Sequence, residues 1–158
     1  MNTIVRIRQL FRRESGGSLV ELALVTPMIF MLVAAAVDFS RAYYLSMEVS
    51  GAAQAAAAYG VLHRTDTTGI AAVASADAPD VPSTSLTVTP SWGCECSNST
   101  IGSASSSSTC SSTPSCSSST LVYWEKVTAS VSYSPVFPWP GIPSTMKFSQ
   151  TAVMRAAN

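Results

Sequence analysis

The chain of 158 residues has one histidine, His63, and no glycine-rich loop of the kind that cradles phosphate. No second histidine and no acidic cluster accompany His63, so neither a metal centre nor an acid–base centre is legible there. The abundant serines lie in a tract without a base to activate them. An enzyme would need a polar residue that the sequence does not nominate. The expectation is a protein that is not an enzyme, with no cofactor and no small-molecule substrate. Formal charge sums to zero, which removes the electrostatic case for nucleic acid. Cysteine is sparse, four in all, and none precedes position 94. Proline is missing from residues 38–64, where alanine is dense and strong helix formers recur.

What is present is organised around the first 40 residues or so. Arg6, Arg8, Arg12 and Arg13 form a basic leader with only Glu14 against them. Residues 19–37 are then apolar except for Glu21, Thr26 and Pro27. About 20 residues at 1.5 Å each cover a hydrocarbon core of roughly 30 Å, so this stretch reads as a transmembrane helix. Pro27 is tolerated in such a helix where neighbours satisfy the freed carbonyl. Positive charge before the span keeps that end in the cytoplasm and sends the C-terminal body outside. All four cysteines fall in that body, which suits an oxidising compartment. Glu21 is the anomaly, because a carboxylate in or near hydrocarbon costs a few kcal/mol unless paired, protonated or near headgroups. Either it marks the cytoplasmic end of the span or it pairs with a cation from another chain. Two other processing routes compete: a secretory signal cut after Ala36, and an uncleaved signal anchor. Against the first, Glu21 interrupts the apolar region and helix-forming sequence continues past the cut.

Beyond the span, residues 38–64 continue the helix, which from 17 to 64 would reach roughly 70 Å. Asp38 and Arg41 sit three apart on one face and form a juxtamembrane pair. Tyr43 and Tyr44 suit the membrane interface. Ser46, Ser50, Ala53, Ala57 and Gly60 make a small-residue stripe, read as a helix–helix seam with other subunits. Residues 65–90 change texture, with Asp77 to Pro82 as a linker or turn, and residues 86–89 read as a short strand. Next come Cys94, Cys96, Cys110 and Cys116 around a serine-rich tract that cannot fold alone. Cys94 and Cys96, two apart, are poorly placed to bond each other, so each is expected to pair with Cys110 or Cys116. A four-cysteine zinc site is the rival, but its paired ligand spacing is missing. Asn98-Ser99-Thr100 is a glycosylation sequon by pattern alone. From Leu121 onward Val127, Ala129, Val131 and Tyr133 alternate with polar residues, as do Met146, Phe148, Ala152 and Met154. The proline-rich connector between them, with Phe137 and Trp139, either caps the core or presents a contact surface. An antiparallel pair with the earlier strand makes a three-stranded sheet, and the outer part of the long helix is available to cover it. The expected fold class is α+β: a long N-terminal transmembrane helix continuing outward and packed on a small antiparallel β-sheet. The divisions are 1–16, 17–37, 38–64 and 65–158, with the cysteine loop at 94–120.

Cutting between Gly16 and Gly17 would make Glu21 the fifth residue of a mature chain. A basic leader, Gly before the cut, Glu at that spacing and an apolar helix resemble a type IV prepilin. More closely, Gly16-Gly17-Ser18-Leu19-Val20-Glu21-Leu22-Ala23-Leu24-Val25-Thr26-Pro27 resembles the start of TadE-like proteins, minor pseudopilins of the tight-adherence (Flp pilus) secretion system. Val37-Asp38-Phe39-Ser40-Arg41-Ala42-Tyr43-Tyr44 is similar to the family's EFGRAFY stretch, with Asp38 where Glu is common. The later Val-x-Val-x-Tyr, Pro-x-x-Pro and Met-Arg pattern is similar too. The resemblance implies a pilin-like fold and cleavage of a cytoplasmic leader, residues 1–16, by a prepilin peptidase. It implies a role for Glu21 in extraction or assembly, with the Gly17 α-amine of a neighbouring subunit as partner. Implied partners are the membrane, that peptidase, other pilin-like subunits and the pilus assembly platform. The implied location is the bacterial inner membrane, single-pass, with incorporation into a pilus. Glycine at 17 and no aromatic after Glu21 depart from major pilins and point away from the main filament subunit. The alternative function is a membrane-anchored extracytoplasmic binding module that is never polymerised.

Overall fold

A computed structural model describes residues 15–101, 110 and 115–156. The expected leader, apart from its last two residues, and most of the serine-rich tract lie outside the described residues. The elements are α1 (Ser15–Leu62), α2 (Thr67–Asp77), β1 (Thr87–Cys96), β2 (Leu121–Tyr133) and β3 (Met146–Arg155). The chain divides into two units, Met1–Ser40 and Arg41–Asn158.

In the first unit the described residues are helical. Apolar side chains surround the helix instead of lining one stripe, and they are exposed; Phe30 is 71% accessible. A helix that is apolar all round belongs in a protein core or a bilayer. None of the most apolar window of α1 is buried within the protein, and the helix is long and apolar enough to cross a membrane. Pro27 lies inside it. Its neighbour Thr26 donates a hydroxyl hydrogen bond of 2.6 Å to the Leu22 carbonyl, one way in which backbone near a proline gains a further donor.

In the second unit α1 becomes one-sided. Val49, Ala52, Ala53, Ala56, Ala57 and Gly60 are buried, at the three- and four-residue spacing of one helical face. They pack with Val127, Ala129 and Val131 of β2, and Phe148, Ala152 and Met154 of β3 lie partly buried against them. The small-residue stripe therefore does not stay free as a seam for another subunit: Ala53, Ala57 and Gly60 are consumed by the unit's own core. At Gly60 a Cβ would lie 2.7 Å from Glu125 Cγ, so glycine is what lets the helix come this close to β2.

The stretch after α1, where the sequence shows only a change of texture, contains α2 at residues 67–77, and residues 78–82 of the expected linker or turn lie outside helix and strand. Asp66 caps it: one carboxylate oxygen accepts the Gly69 N–H at 2.8 Å and the other accepts the Tyr59 hydroxyl at 2.9 Å. Ile70 and Ala74, one turn apart, are buried. α2 runs antiparallel to the outer part of α1. Tyr59 meets Asp66 at one end, and the Tyr44 hydroxyl donates to Asp80 at 3.0 Å at the other.

The sheet has order β1-β2-β3 and is antiparallel throughout. β1 is longer than the expected residues 86–89 and continues through Pro90 to Cys96. Pro90 is permitted because β1 is an edge strand, where an absent N–H need not break the ladder. Register fixes which end is which. Thr87 pairs with Ser130 and Cys96 with Leu121, and Gly60 of α1 lies against Glu125. The end of this unit at which α1 enters therefore holds Tyr44, Asp80, the start of β1 and the β2–β3 connector. The opposite end holds Gly60, Tyr123 and the cysteine-bearing end of β1.

Because the core contact uses side chains of one carbon, Ala53→Leu should lower stability by about 1–3 kcal/mol through overpacking. Ala58→Leu, on the exposed side of the same helix, should change it by less than about 0.5 kcal/mol. Urea unfolding of the full chain in detergent, followed by tryptophan emission, separates the two.

Candidate functional site

Gly16 and Gly17 fall in the first turn of α1. A glycine inside a helix destabilises it by roughly 0.5–1 kcal/mol relative to alanine. At Gly17 a Cβ would meet nothing within 4 Å, so the fold itself makes no steric demand for glycine there. Glu21 follows one turn later on the same face. It is exposed, and among the described residues it makes no ion pair. Asp38 is buried while Arg41, three residues on, is exposed. Tyr44, expected at the interface, is held by Asp80, and that hydrogen bond, with the neighbouring Glu48 carboxylate, pushes its phenol up to about 12. His63 stacks on Tyr59 with ring centroids 4.5 Å apart. Among the described residues no three His, Cys, Asp or Glu side chains gather as a metal-binding group.

The cysteines form two bridges, Cys94–Cys110 and Cys96–Cys116, with Cα separations of 5.9 and 5.6 Å. Their half-cystines on β1 are two residues apart, so both leave the same side of an edge strand. Both therefore tie the serine-rich segment to one corner of the sheet. In the chain-entropy model each closed loop of this size contributes on the order of 3 kcal/mol.

Two carboxylates at this end carry no sequence signal. Glu95 sits between the cysteines and is fully buried, yet its Oε1 accepts Arg155 Nε at 2.7 Å. The rest of the Arg155 fork continues along the turn after β1. Nη1 donates to the Ser97 carbonyl at 3.1 Å, and Nη2 donates to the Ser99 carbonyl. One guanidinium from β3 thus fastens both the end of β1 and the start of the cysteine loop. On the helix-facing side Glu125 is also fully buried, and neither of its oxygens has a hydrogen-bond partner. Burial pushes its carboxyl up to about 7, against a smaller downward pull from Arg64. Arg64 itself lies over the Tyr123 ring, 4.1 Å from its centroid.

These features define a class: an α+β protein with one membrane-capable N-terminal helix, whose outer part carries a small disulfide-braced antiparallel sheet. Residues 16–58 match the family model for TadE-like protein. The match covers α1 from Gly16 to Ala58 and stops before α2 and the sheet. No curated protein matches the chain significantly, and neither does any solved structure.

Glu125 generates a pH prediction. Its folded state holds a proton that the unfolded chain releases, so the folded chain binds more protons between about pH 4.5 and pH 7. Stability should fall as pH rises through that window, by roughly 3 kcal/mol. Asp66 acts in the opposite sense, since its bonds to Gly69 N–H and Tyr59 hold it below the usual carboxylate range. Its contribution is lost only at lower pH. Urea midpoints of the full chain across the window should slope downward in the wild type and flatten in Glu125→Gln. An equal slope in both would show that the dependence comes from elsewhere.

Proposed function

We propose that the chain is a minor, TadE-type pilin-like subunit acting in assembly of a tight-adherence (Flp) pilus. On this reading it is a structural protein and not a catalyst. It is inserted with its N-terminus in the cytoplasm and its outer unit in the periplasm or beyond. A prepilin peptidase cuts it between Gly16 and Gly17.

The observation that carries the reading is the conjunction within one matched segment. Gly17, where the fold makes no steric demand for glycine, precedes an exposed glutamate that has no ion pair among the described residues, one turn into an apolar helix. A requirement on Gly17 would then be set by something other than the fold, and a peptidase supplies one. Glu21 is left needing a cation, because an uncompensated carboxylate costs a few kcal/mol near hydrocarbon. The new α-amine of a neighbouring subunit has the right charge and depth. Assembly through other pilin-like subunits and the assembly platform follows from that pairing. The outer unit, covered by its own helix, then serves as the presented surface.

The decisive measurement is the mature N-terminus, by mass spectrometry on protein from native membranes. A start at Gly17 is expected. A start at Val37 would indicate a secreted domain that has lost its assembly helix, and an intact Met1 a non-polymerised anchor serving as a binding module. Glu21→Ala should be processed like the wild type. It should reduce surface-assembled subunit by on the order of tenfold, the ratio set by about 1.4 kcal/mol. Wild-type assembly in that variant would remove the pairing.

A further inference from the structure

Neither chain order nor loop length explains which cysteines join. Cys94 pairs with Cys110 and Cys96 with Cys116, at separations of 16 and 20 residues. The swapped pairing, Cys94 with Cys116 and Cys96 with Cys110, would close loops of about 22 and 14 residues. Closure cost grows only with the logarithm of loop length, so on that account the two pairings differ by less than about 1.1-fold. Cys94 and Cys96 also leave the same side of β1, so direction does not separate them. The discriminating feature lies in the fold.

The base of the loop is closed without the sulfurs. The Ser97 N–H donates to the Thr120 carbonyl at 2.9 Å, and the Thr120 N–H donates to the Ser97 hydroxyl at 3.3 Å. The Ser119 hydroxyl donates to the Asn98 side-chain oxygen at 3.0 Å. The Ser99 N–H closes a turn onto the Cys96 carbonyl at 2.8 Å. The side-chain bonds here are exposed, and water competes for them. Arg155 is what ties this base to the sheet. Its own place is set by its pairing with Trp124 and by the next residue, whose N–H donates to the Tyr123 carbonyl at 2.9 Å. Glu95 accepts from its Nε at 2.7 Å, and its two Nη groups donate to the Ser97 and Ser99 carbonyls. With the base held, Cys116 lies four residues before Thr120, on a short tether beside Cys96. Cys94 is two residues farther along the strand, roughly 7 Å away, and is left to Cys110.

We propose that Arg155 is a positioning residue for disulfide formation, holding the turn at 97–99 against the sheet so that Cys96 meets Cys116 and Cys94 meets Cys110. The inference concerns the outer unit alone and does not depend on pilus assembly. With oxidised glutathione as the oxidant, one protein thiolate attacks the glutathione disulfide and releases a glutathione thiolate. A second protein thiolate then displaces the other glutathione. Each bridge thus passes two electrons to one glutathione disulfide and yields two glutathione thiols. Arg155 takes no part in the exchange; it determines which second thiolate is within reach.

The test reoxidises the full chain in detergent from the reduced, urea-unfolded state with a glutathione buffer. Free thiols are trapped with iodoacetamide, and the pairing is read by peptide mass mapping with electron-transfer fragmentation. The wild type should return the observed pairing in at least about nine molecules in ten, the ratio that charge-assisted bonds of ordinary strength supply. Reoxidised in concentrated urea, the observed and swapped pairings should come out within about twofold of each other. A large excess of the observed pairing there would mean that local sequence decides, and would overturn the proposal. Arg155→Met should raise the swapped pairing at least about fivefold. Arg155→Lys keeps a cation against the buried Glu95 but cannot fork to two carbonyls. It should mispair as the methionine variant does, with blue-shifted tryptophan emission showing that the sheet has formed, and it decides the matter where Arg155→Met fails to fold. Wild-type pairing in Arg155→Lys would show that Glu95 needs only a charge, and would overturn the positioning role. Wild-type pairing in a folded Arg155→Met would do the same.

Discussion

The approach of α1 to β2 sets the geometry of everything outside the first unit. Ala52, Ala53, Ala56, Ala57 and Gly60 carry almost no side chain and are buried, the alanines in one core with Val127, Ala129 and Val131. A helix with leucine at those positions would ride farther out. Dispersion contacts fall steeply with such gaps, and a sheet of three strands has few others to replace them. The same closeness fixes direction. With Gly60 over Glu125 and Val49 in the same core as Val131, the helix runs opposite to β2. One end of the unit is then the entry of the helix and the other is the bridged end. α2 completes the cover, and its antiparallel course is held by two tyrosine–aspartate bonds. Those two bonds sit at opposite ends of the paired helices, which resists sliding as well as separation.

Alanine in α1 thus serves two physical demands along one continuous element. Among the described residues up to Ser40, large apolar side chains of the helix are exposed on every side. After Arg41 the helix must pack on a sheet, and small residues take over one face. The change in side-chain size along the helix marks a change of surroundings more sharply than any break in the helix does. The family match spans this change and ends inside the alanine-rich part.

Much of this architecture is legible in the residues. Strand alternation at Val127, Ala129, Val131 and Tyr133, and at Phe148, Ala152 and Met154, reports a half-buried sheet directly, because period two has few other causes. The helix is legible from length and composition. α2 is hidden in a stretch that shows only a change of texture; Asp66, three residues before Gly69 and ahead of an alanine run, is the usable signal. β1 was cut short by Pro90, since nothing local says that a strand is at an edge. The small-residue stripe shows the limit most plainly. Its spacing is as suitable for a foreign helix as for the chain's own sheet, and only the tertiary contact decides. Glu95, Arg155 and Glu125 were illegible for the same reason, because their partners or lack of partners lie 60 residues away or in another element.

Glu95 and Glu125 show what the bridged end tolerates. Both are fully buried glutamates of paired strands, and both face the cost of removing a carboxylate from water. Glu95 meets it with Arg155, whose planar fork has donors left to bind Ser97 and Ser99. Burying that pair adds little net stability by itself. Its worth lies in geometry, because one residue of β3 fixes both the strand carrying Cys94 and Cys96 and the turn that leads into the bridged loop. Glu125 has a cation nearby in Arg64, but that guanidinium lies on the Tyr123 ring, and no hydrogen bond reaches the carboxylate. It meets the cost by holding its proton. A buried acid of that kind weakens the contact between α1 and β2 as it ionises, at the place where Gly60 leaves room for the Glu125 side chain. The bridges do not span that contact, since both lie on β1 and the loop beyond it. The helix–sheet seam and the disulfide-tied loop are therefore stabilised by independent means, one sensitive to protons and the other to reductant.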